Sequence, residues 1–287
     1  MNAPVVHAFH HASTGTWSYV VADALLGVAA IIDPVLDFDA ASARRSTKSA
    51  QQLLDAIETR GYAVQWILET HAHADHVSAA PFLRQRTGAP VAIGIGIRRV
   101  QAHFANVFRF APGYAADGAP FDRLFADGER FQVGSIEAEV IPVPGHTPDS
   151  VAYRIGDALF VGDSLFMPDA GTARCDFPGG DAATLFRSIQ RLYALPDATR
   201  VFVCHDYGPG GREPRCETTI GAQRRENIHV RDGVAEAQYV AQRQARDATL
   251  AVPALLLPAV QVNIRAGQFP EPDADGYIAL TLPVDRI

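Results

Sequence analysis

The segment Thr70-His71-Ala72-His73-Ala74-Asp75-His76 limits what this chain can become more than any other. It follows residues 64–68, an apolar run of strand length. Side chains alternate along an extended segment, so His71 and His73 fall on one side of it. Asp75 and His76 add two further donors just beyond the strand. This mixture of imidazole and carboxylate suits zinc or iron. Three other strand ends offer more ligands. His146 sits in the turn Pro144-Gly145-His146-Thr147-Pro148, after a strand expected over 136–143. Asp163 ends Phe160-Val161-Gly162-Asp163, and His205 follows a short strand at 201–204. Any one of these reads as an ordinary turn. Four strand ends that all supply carboxylates or imidazoles are what a metal site needs and a core does not. His7, His10, His11, His103 and His229 read as surface or structural residues.

The rest of the chain reads as mixed α/β. Strands are expected at 17–22 and 28–32, with Asp33-Pro34 stopping the second. A helix is expected up to Arg60, capped by Ser46 or Thr47, with Leu53, Leu54 and Ile57 on its buried face and Gly61 after its end. Further helices are expected at 78–86, 181–193, 217–230 and 232–247, and a short strand at 91–93. Residues 105–120, rich in Ala, Pro and Gly, read as a long loop. Hairpins fill 131–161, with turns at Gly134-Ser135 and Gly156-Asp157. One domain is expected over 1–287, with an irregular Pro-rich extension over about 250–287.

Bulk properties narrow the function. With 48% hydrophobic and 20% charged residues in 287, the chain can bury a sizeable core and is neither disordered nor a coiled coil. Its net charge of −7 and isolated pairs Arg44-Arg45, Arg98-Arg99 and Arg224-Arg225 argue against a nucleic-acid partner. No apolar run approaches a membrane span. Residues 1–20 contain no Lys or Arg and no continuous apolar stretch, so no targeting peptide is expected. Cys175, Cys204 and Cys216 show no CxxC pairing, which fits a reducing cytoplasm.

The order His71-x-His73-x-Asp75-His76, His146, Asp163, His205 resembles the metallo-β-lactamase superfamily over about residues 15–210. That resemblance implies an αβ/βα four-layer sandwich with a metal site at one edge. Within the superfamily the chain looks most like the persulfide dioxygenases, the group of the ethylmalonic encephalopathy protein, in a bacterial branch. Gly162-Asp163-Ser164-Leu165-Phe166, Ala173-Arg174-Cys175-Asp176-Phe177, His205-Asp206-Tyr207 and Arg225-Glu226-Asn227 carry this likeness. Thr172 stands where shorter members have a cysteine, so no role of that cysteine is carried over. The resemblance implies that His71, His146 and Asp163 bind one Fe(II) per chain, with zinc the alternative, and form the catalytic centre. It implies that His73, Asp75, His76 and His205 orient those ligands or hold a second metal, and that Arg174 and Tyr207 contact substrate. The alternative for Arg174 is a salt bridge to Asp176 or Asp163, and Cys175 reads as a buried small residue. The implied reactants are glutathione persulfide and dioxygen, in a cytoplasmic enzyme whose homodimer or higher homo-oligomer is left open. The rival likeness is glyoxalase II, a dinuclear hydrolase of S-acyl glutathione that shares nearly all the histidines; a lactonase is the other hydrolase alternative.

Overall fold

A computed structural model of the protein describes residues 3–110 and 114–285. In chain order its strands and helices are β1 (Val5–His11), β2 (Thr16–Asp23), β3 (Val28–Ile32), β4 (Val35–Asp39), β5 (Arg44–Ser46), α1 (Lys48–Arg60), β6 (Ala63–Leu68), β7 (Val77–Ser78), α2 (Ala80–Thr87), β8 (Val91–Gly94) and α3 (Ile97–Val107). The second half adds β9 (Arg123–Phe125), β10 (Arg130–Val133), β11 (Ile136–Pro142), β12 (Val151–Ile155), β13 (Ala158–Phe160), α4 (Ala182–Leu192), β14 (Arg200–Phe202), β15 (Glu217–Thr219), α5 (Ile220–Glu226), α6 (Glu236–Asp247) and α7 (Leu256–Asn263).

Two six-stranded sheets face each other, in the orders β1-β2-β3-β6-β8-β9 and β10-β11-β12-β13-β14-β15. A small β5-β4-β7 sheet lies beside them. The strand period of two explains the layering. Along β2, Tyr19 and Val21 enter the core between the sheets, whereas Val20 and Ala22 enter the core under α1, α2 and α3. Along β3, Ala30 and Ile32 face the inner core, and Ala29 and Ile31 the outer one. Leu159 and Val201 of the second sheet face a third core filled by Leu185, Ile189 and Leu192 of α4 and Tyr239 of α6. The result is the helix–sheet–sheet–helix sandwich expected from the sequence. Strands buried on both faces read as continuous apolar runs, as 28–32 does.

Several local expectations shift. Helix α1 buries Leu53, Leu54 and Ile57 and ends at Gly61 in the left-handed conformation, as read. Of the two expected caps, Ser46 accepts from the Lys48 amide at 3.2 Å while Thr47 makes no cap bond, and Asp37 adds an acceptor for the Ser49 amide at 2.9 Å. The expected loop at 105–120 begins inside α3, whose buried Ile97, Val100, Gln101 and Phe104 form an amphipathic face; residues 111–113 of that loop lie outside the described residues. The helix expected from 217 starts as strand β15, pairing with β14, and turns helical at Ile220. The extension read as irregular contains α7, whose Ala259, Val260 and Val262 are fully buried. Among the described residues, no helix is long and apolar enough to cross a membrane.

Candidate metal centre

Strand ends deliver the site to one edge of the sandwich. β3 and β6 run parallel, with a register shift between Ala29 and Ala30, and Asp33, just past β3, lies beside Thr70, just past β6. The Thr70 carbonyl accepts from the Val151 amide at 2.9 Å and joins the first sheet to the second. β11, β13 and β14 end toward the same edge and carry His146, Asp163 and His205 in the loops that follow. Two glycines permit this crowding. Gly145 has φ +142°, and a Cβ there would meet Leu185 Cα at 2.4 Å. Gly162 has φ +52°, and a Cβ there would meet Thr70 Oγ1 at 2.7 Å. A side chain at either position would push a ligand out of place.

His71, His146 and Asp163 converge. His71 Nε2 is 3.9 Å and His146 Nε2 3.6 Å from Asp163 Oδ2. The other ring nitrogen of each histidine is held by the protein. His71 Nδ1 lies 3.0 Å from Thr70 Oγ1, whose proton goes to Asp33 Oδ2 at 2.9 Å. His146 Nδ1 donates to the Arg174 carbonyl at 2.7 Å. Both rings are thereby set in the tautomer with an Nε2 lone pair aimed at Asp163. Burial first, and then the neighbouring His73 and His146, pushes the His71 pKa well down and keeps its ring neutral. Asp33 also accepts from His73 Nε2 at 2.9 Å and leaves His73 Nδ1 bare.

A second group, His73, Asp75, His76 and His205, adjoins the first. His205 Nε2 lies 3.0 Å from Asp75 Oδ2 and 3.4 Å from Asp163 Oδ1, without hydrogen-bond alignment. His76 Nδ1 is 3.4 Å from both Asp75 Oδ1 and Thr16 Oγ1. His205 Nδ1 is buried with no partner. Burial lowers the His76 pKa to about 4, His73 adding to the effect. For His205, burial works downward, but Asp163 and Asp75 outweigh it and raise the pKa to about 9.

The chemistry of these donors fits a bound cation. His71 Nε2, His73 Nδ1, His76 Nε2, His205 Nε2, Asp75 Oδ2 and Asp163 Oδ1 are all buried without a hydrogen-bond partner. Polar atoms orphaned in this way are costly unless something unites them. A metal ion would take up the lone pairs.

A cleft of about 910 Å³ opens over the site. Asp75, His146 and Asp163 form its floor; Phe166, Ile228, Leu250 and Leu255 form apolar walls. Arg174 and Tyr207 both line it, where the sequence placed them. Tyr207 is exposed at the rim and stacks on His205, with centroids 5.8 Å apart and planes at 8°. The Arg174 guanidinium is already engaged, pairing bidentately with Asp176 at 2.5 and 2.6 Å and donating to the Ala251 carbonyl at 2.6 Å. The ion-pair alternative is thus the one the structure shows. Cys175 is buried, and burial together with Asp247 pushes its thiol up to about 12.

Two site residues escaped sequence reasoning. Asp33 read as a strand stop, yet it orients His71 and His73. Asn263, at the end of α7, donates to the His73 and His76 carbonyls at 2.8 and 2.7 Å and accepts from the Ser78 amide at 2.9 Å. No local signal marks Asn263. Asp33 could have been found from its place at the end of an apolar strand parallel to the one that carries the histidines.

Comparison with known proteins agrees with this geometry. The family model described as "Metallo-beta-lactamase superfamily" matches residues 14–205. A "Probable metallo-hydrolase" of Burkholderia pseudomallei is 48% identical, over 98% of this chain and 99% of its own length. A "Glyoxylase B2" of Dictyostelium discoideum is 42% identical, over 100% of this chain and 99% of its own length. A "Beta-lactamase hydrolase-like protein" of Xylella fastidiosa is 50% identical over 100% of this chain, which spans only 66% of that longer protein. Among solved structures, ETHE1 from Myxococcus xanthus superposes with a TM-score of 0.73 at 28% identity, covering 92% of this chain and 100% of that one.

Proposed function

The chain belongs to the metallo-beta-lactamase superfamily of metal-dependent enzymes, and from that premise we propose that it is an iron-dependent persulfide dioxygenase. One observation carries the reading. In the triad His71, His146 and Asp163, each imidazole has its outer nitrogen fixed by the protein, on Thr70 Oγ1 and the Arg174 carbonyl. In the adjoining group His73 alone is held in this way, by Asp33 at 2.9 Å, whereas among the described residues His205 Nδ1 has no partner and His76 Nδ1 only 3.4 Å contacts. Outer-nitrogen partners are what preorganise a metal ligand. The better-built site has two histidines and one carboxylate, the facial set of non-haem iron oxygenases. The sequence motifs resembling persulfide dioxygenases and the full-length superposition on ETHE1 support the same reading.

The reaction balances as glutathione persulfide, dioxygen and water giving glutathione, sulfite and two protons. His71, His146 and Asp163 would hold ferrous iron, which would supply redox chemistry and open positions for both reactants. The protein's own residues bind and orient. Phe166, Ile228 and Leu255 give the cleft apolar walls against which a substrate can shed water. Tyr207 offers a hydroxyl at the rim to a peptide-like substrate, and Asp33 holds His71 and His73 in place. Arg174, paired with Asp176, positions the site through its carbonyl on His146.

A second reading has its own support. His73, Asp75, His76 and His205 have buried, orphaned lone pairs that would suit a second ion, and relatives are named as a hydrolase and a glyoxylase. That reading is a dinuclear hydrolase of glyoxalase II type. Metal content and oxygen uptake separate the two. Protein purified anaerobically without added metal should contain about one iron per chain and consume oxygen with glutathione persulfide. Two zinc ions per chain with full activity on S-acyl glutathione would replace this proposal with the second.

A further inference from the structure

Helix α6 lies outside the segment 14–205 matched by the family model, yet it walls the cleft. Three arginines line that cleft: Arg174, Arg243 and Arg246. Arg174 is spent on Asp176 and the Ala251 carbonyl. Arg243 is buried and binds Asp247 at 2.6 Å and the Thr172 carbonyl at 3.0 Å. The remaining lining carboxylate away from the metal floor, Asp169, is taken by Arg212 at 2.6 Å through both oxygens. Arg246 is different. It is exposed, lines the cleft, and among the described residues its guanidinium has no ion-pair or hydrogen-bond partner. Gln242, one helical turn earlier on the same face, also lines the cleft with its amide unengaged among the described residues. Arg243 and Arg246 both act on the charge of His229, which lines the same wall. This wall therefore carries an uncompensated positive charge in a protein whose net charge is −7.

We propose that Arg246, with Gln242 beside it, is the specificity element that binds a carboxylate of an acidic low-molecular-weight thiol derivative whose sulfur lies over the metal floor. A guanidinium with all its donors free matches a carboxylate bidentately, and a neighbouring amide suits the adjoining peptide group. Arg246 and the metal floor line the same cleft, so the pairing selects thiols that carry an acid away from the sulfur and disfavours neutral ones. The inference rests on the reading of the site as one for glutathione derivatives.

The test uses the metal-loaded protein and two probes, glutathione and its diethyl ester. Calorimetric titration should show the unmutated protein binding glutathione more tightly than the ester. Arg246→Ala should weaken glutathione binding about tenfold, leave the ester unchanged, and raise KM for glutathione persulfide with kcat preserved. Arg246→Lys should recover part of the loss. Equal losses for acid and ester, or no loss with either, overturn the proposal while persulfide turnover by the unmutated protein leaves the functional reading standing. An unmutated protein that neither binds glutathione nor oxidises its persulfide overturns both.

Discussion

The two halves of the metal floor are built to different standards. Around His71 and His146 the sequence has arranged outer partners: a threonine hydroxyl backed by Asp33, and a backbone carbonyl. Around His76 and His205 the carboxylates in reach are Asp75 and Asp163, themselves candidate ligands. In the first half both rings have hydrogen-bond partners that need no ion. The second has weaker support, a 3.4 Å contact from Thr16 to His76 and mutual charge, with burial opposing the His205 charge and two carboxylates restoring it. The difference teaches that a list of ligands does not measure a site. Seven donor side chains are present, and hydrogen-bonded outer nitrogens mark only His71, His146 and, through Asp33, His73.

The sharpest way to break this comparison is to remove the carboxylate that both halves share. Asp163→Asn keeps shape and loses the anion, and an amide is a poor iron ligand. We expect loss of iron and of turnover with the fold intact, read by metal analysis and circular dichroism on one preparation. An active, iron-replete variant would mean that the carboxylate comes from elsewhere, with Asp75 the nearest substitute.

Next in size is Asp33, which lies behind His71 and His73. Its carboxylate accepts from the Thr70 amide, the Thr70 hydroxyl and His73. In Asp33→Asn one acceptor oxygen becomes a donor facing donors. Metal affinity should fall on the order of 10–100-fold, and breaking the buried pair with His73 should cost roughly 3–5 kcal/mol of stability. Competition with a chelator and denaturant unfolding measure the two. A normal chelator profile would show that the support attributed to Asp33 is not what holds His71.

His76→Ala tests the weaker half. If the supported triad is the iron site, the variant should keep most of its iron and measurable oxygen uptake, losing no more than on the order of 10–100-fold in activity. His146→Ala is the control, expected to lose the metal. Loss of metal from His76→Ala as complete as from His146→Ala would erase the distinction between the halves and favour the dinuclear reading.

How much of this was legible in the sequence follows the same division. The floor was legible because its donors sit at strand ends in recognisable order, and the α/β layering because strands such as 28–32 are apolar throughout. The support was not. A lone Asp before Pro looks like a strand stop, and its role appears only when β3 pairs with β6. Asn263 reaches the histidine loop from 190 positions away, inside a tail whose prolines suggested irregular chain. Arg174 lines the cleft, but the bond that occupies it, to Asp176, is a matter of rotamer and not of spacing. Burial also hid α3: its apolar face is flanked by Arg98, Arg99 and His103, and the Ala- and Gly-rich run beyond it suggested a loop beginning at 105.

The smallest expected effect separates a side chain from the backbone beside it. Cys175 follows Arg174, whose carbonyl orients His146, and its own amide donates to Asp247 at 2.9 Å. Its backbone is therefore part of the site's support, and the question is whether the thiol is too. Burial, with Asp247 adding, pushes that thiol up to about 12, so almost no thiolate exists at neutral pH. Cys175→Ala keeps both backbone bonds and removes one buried sulfur, at a cost of about 1 kcal/mol or less through the small cavity. Turnover should stay within about twofold, and iodoacetamide should not inactivate the unmutated enzyme while it remains folded. A tenfold fall in kcat at unchanged metal content would show that the sulfur takes part, and the distinction between a supporting backbone and a passive side chain at this position would not survive.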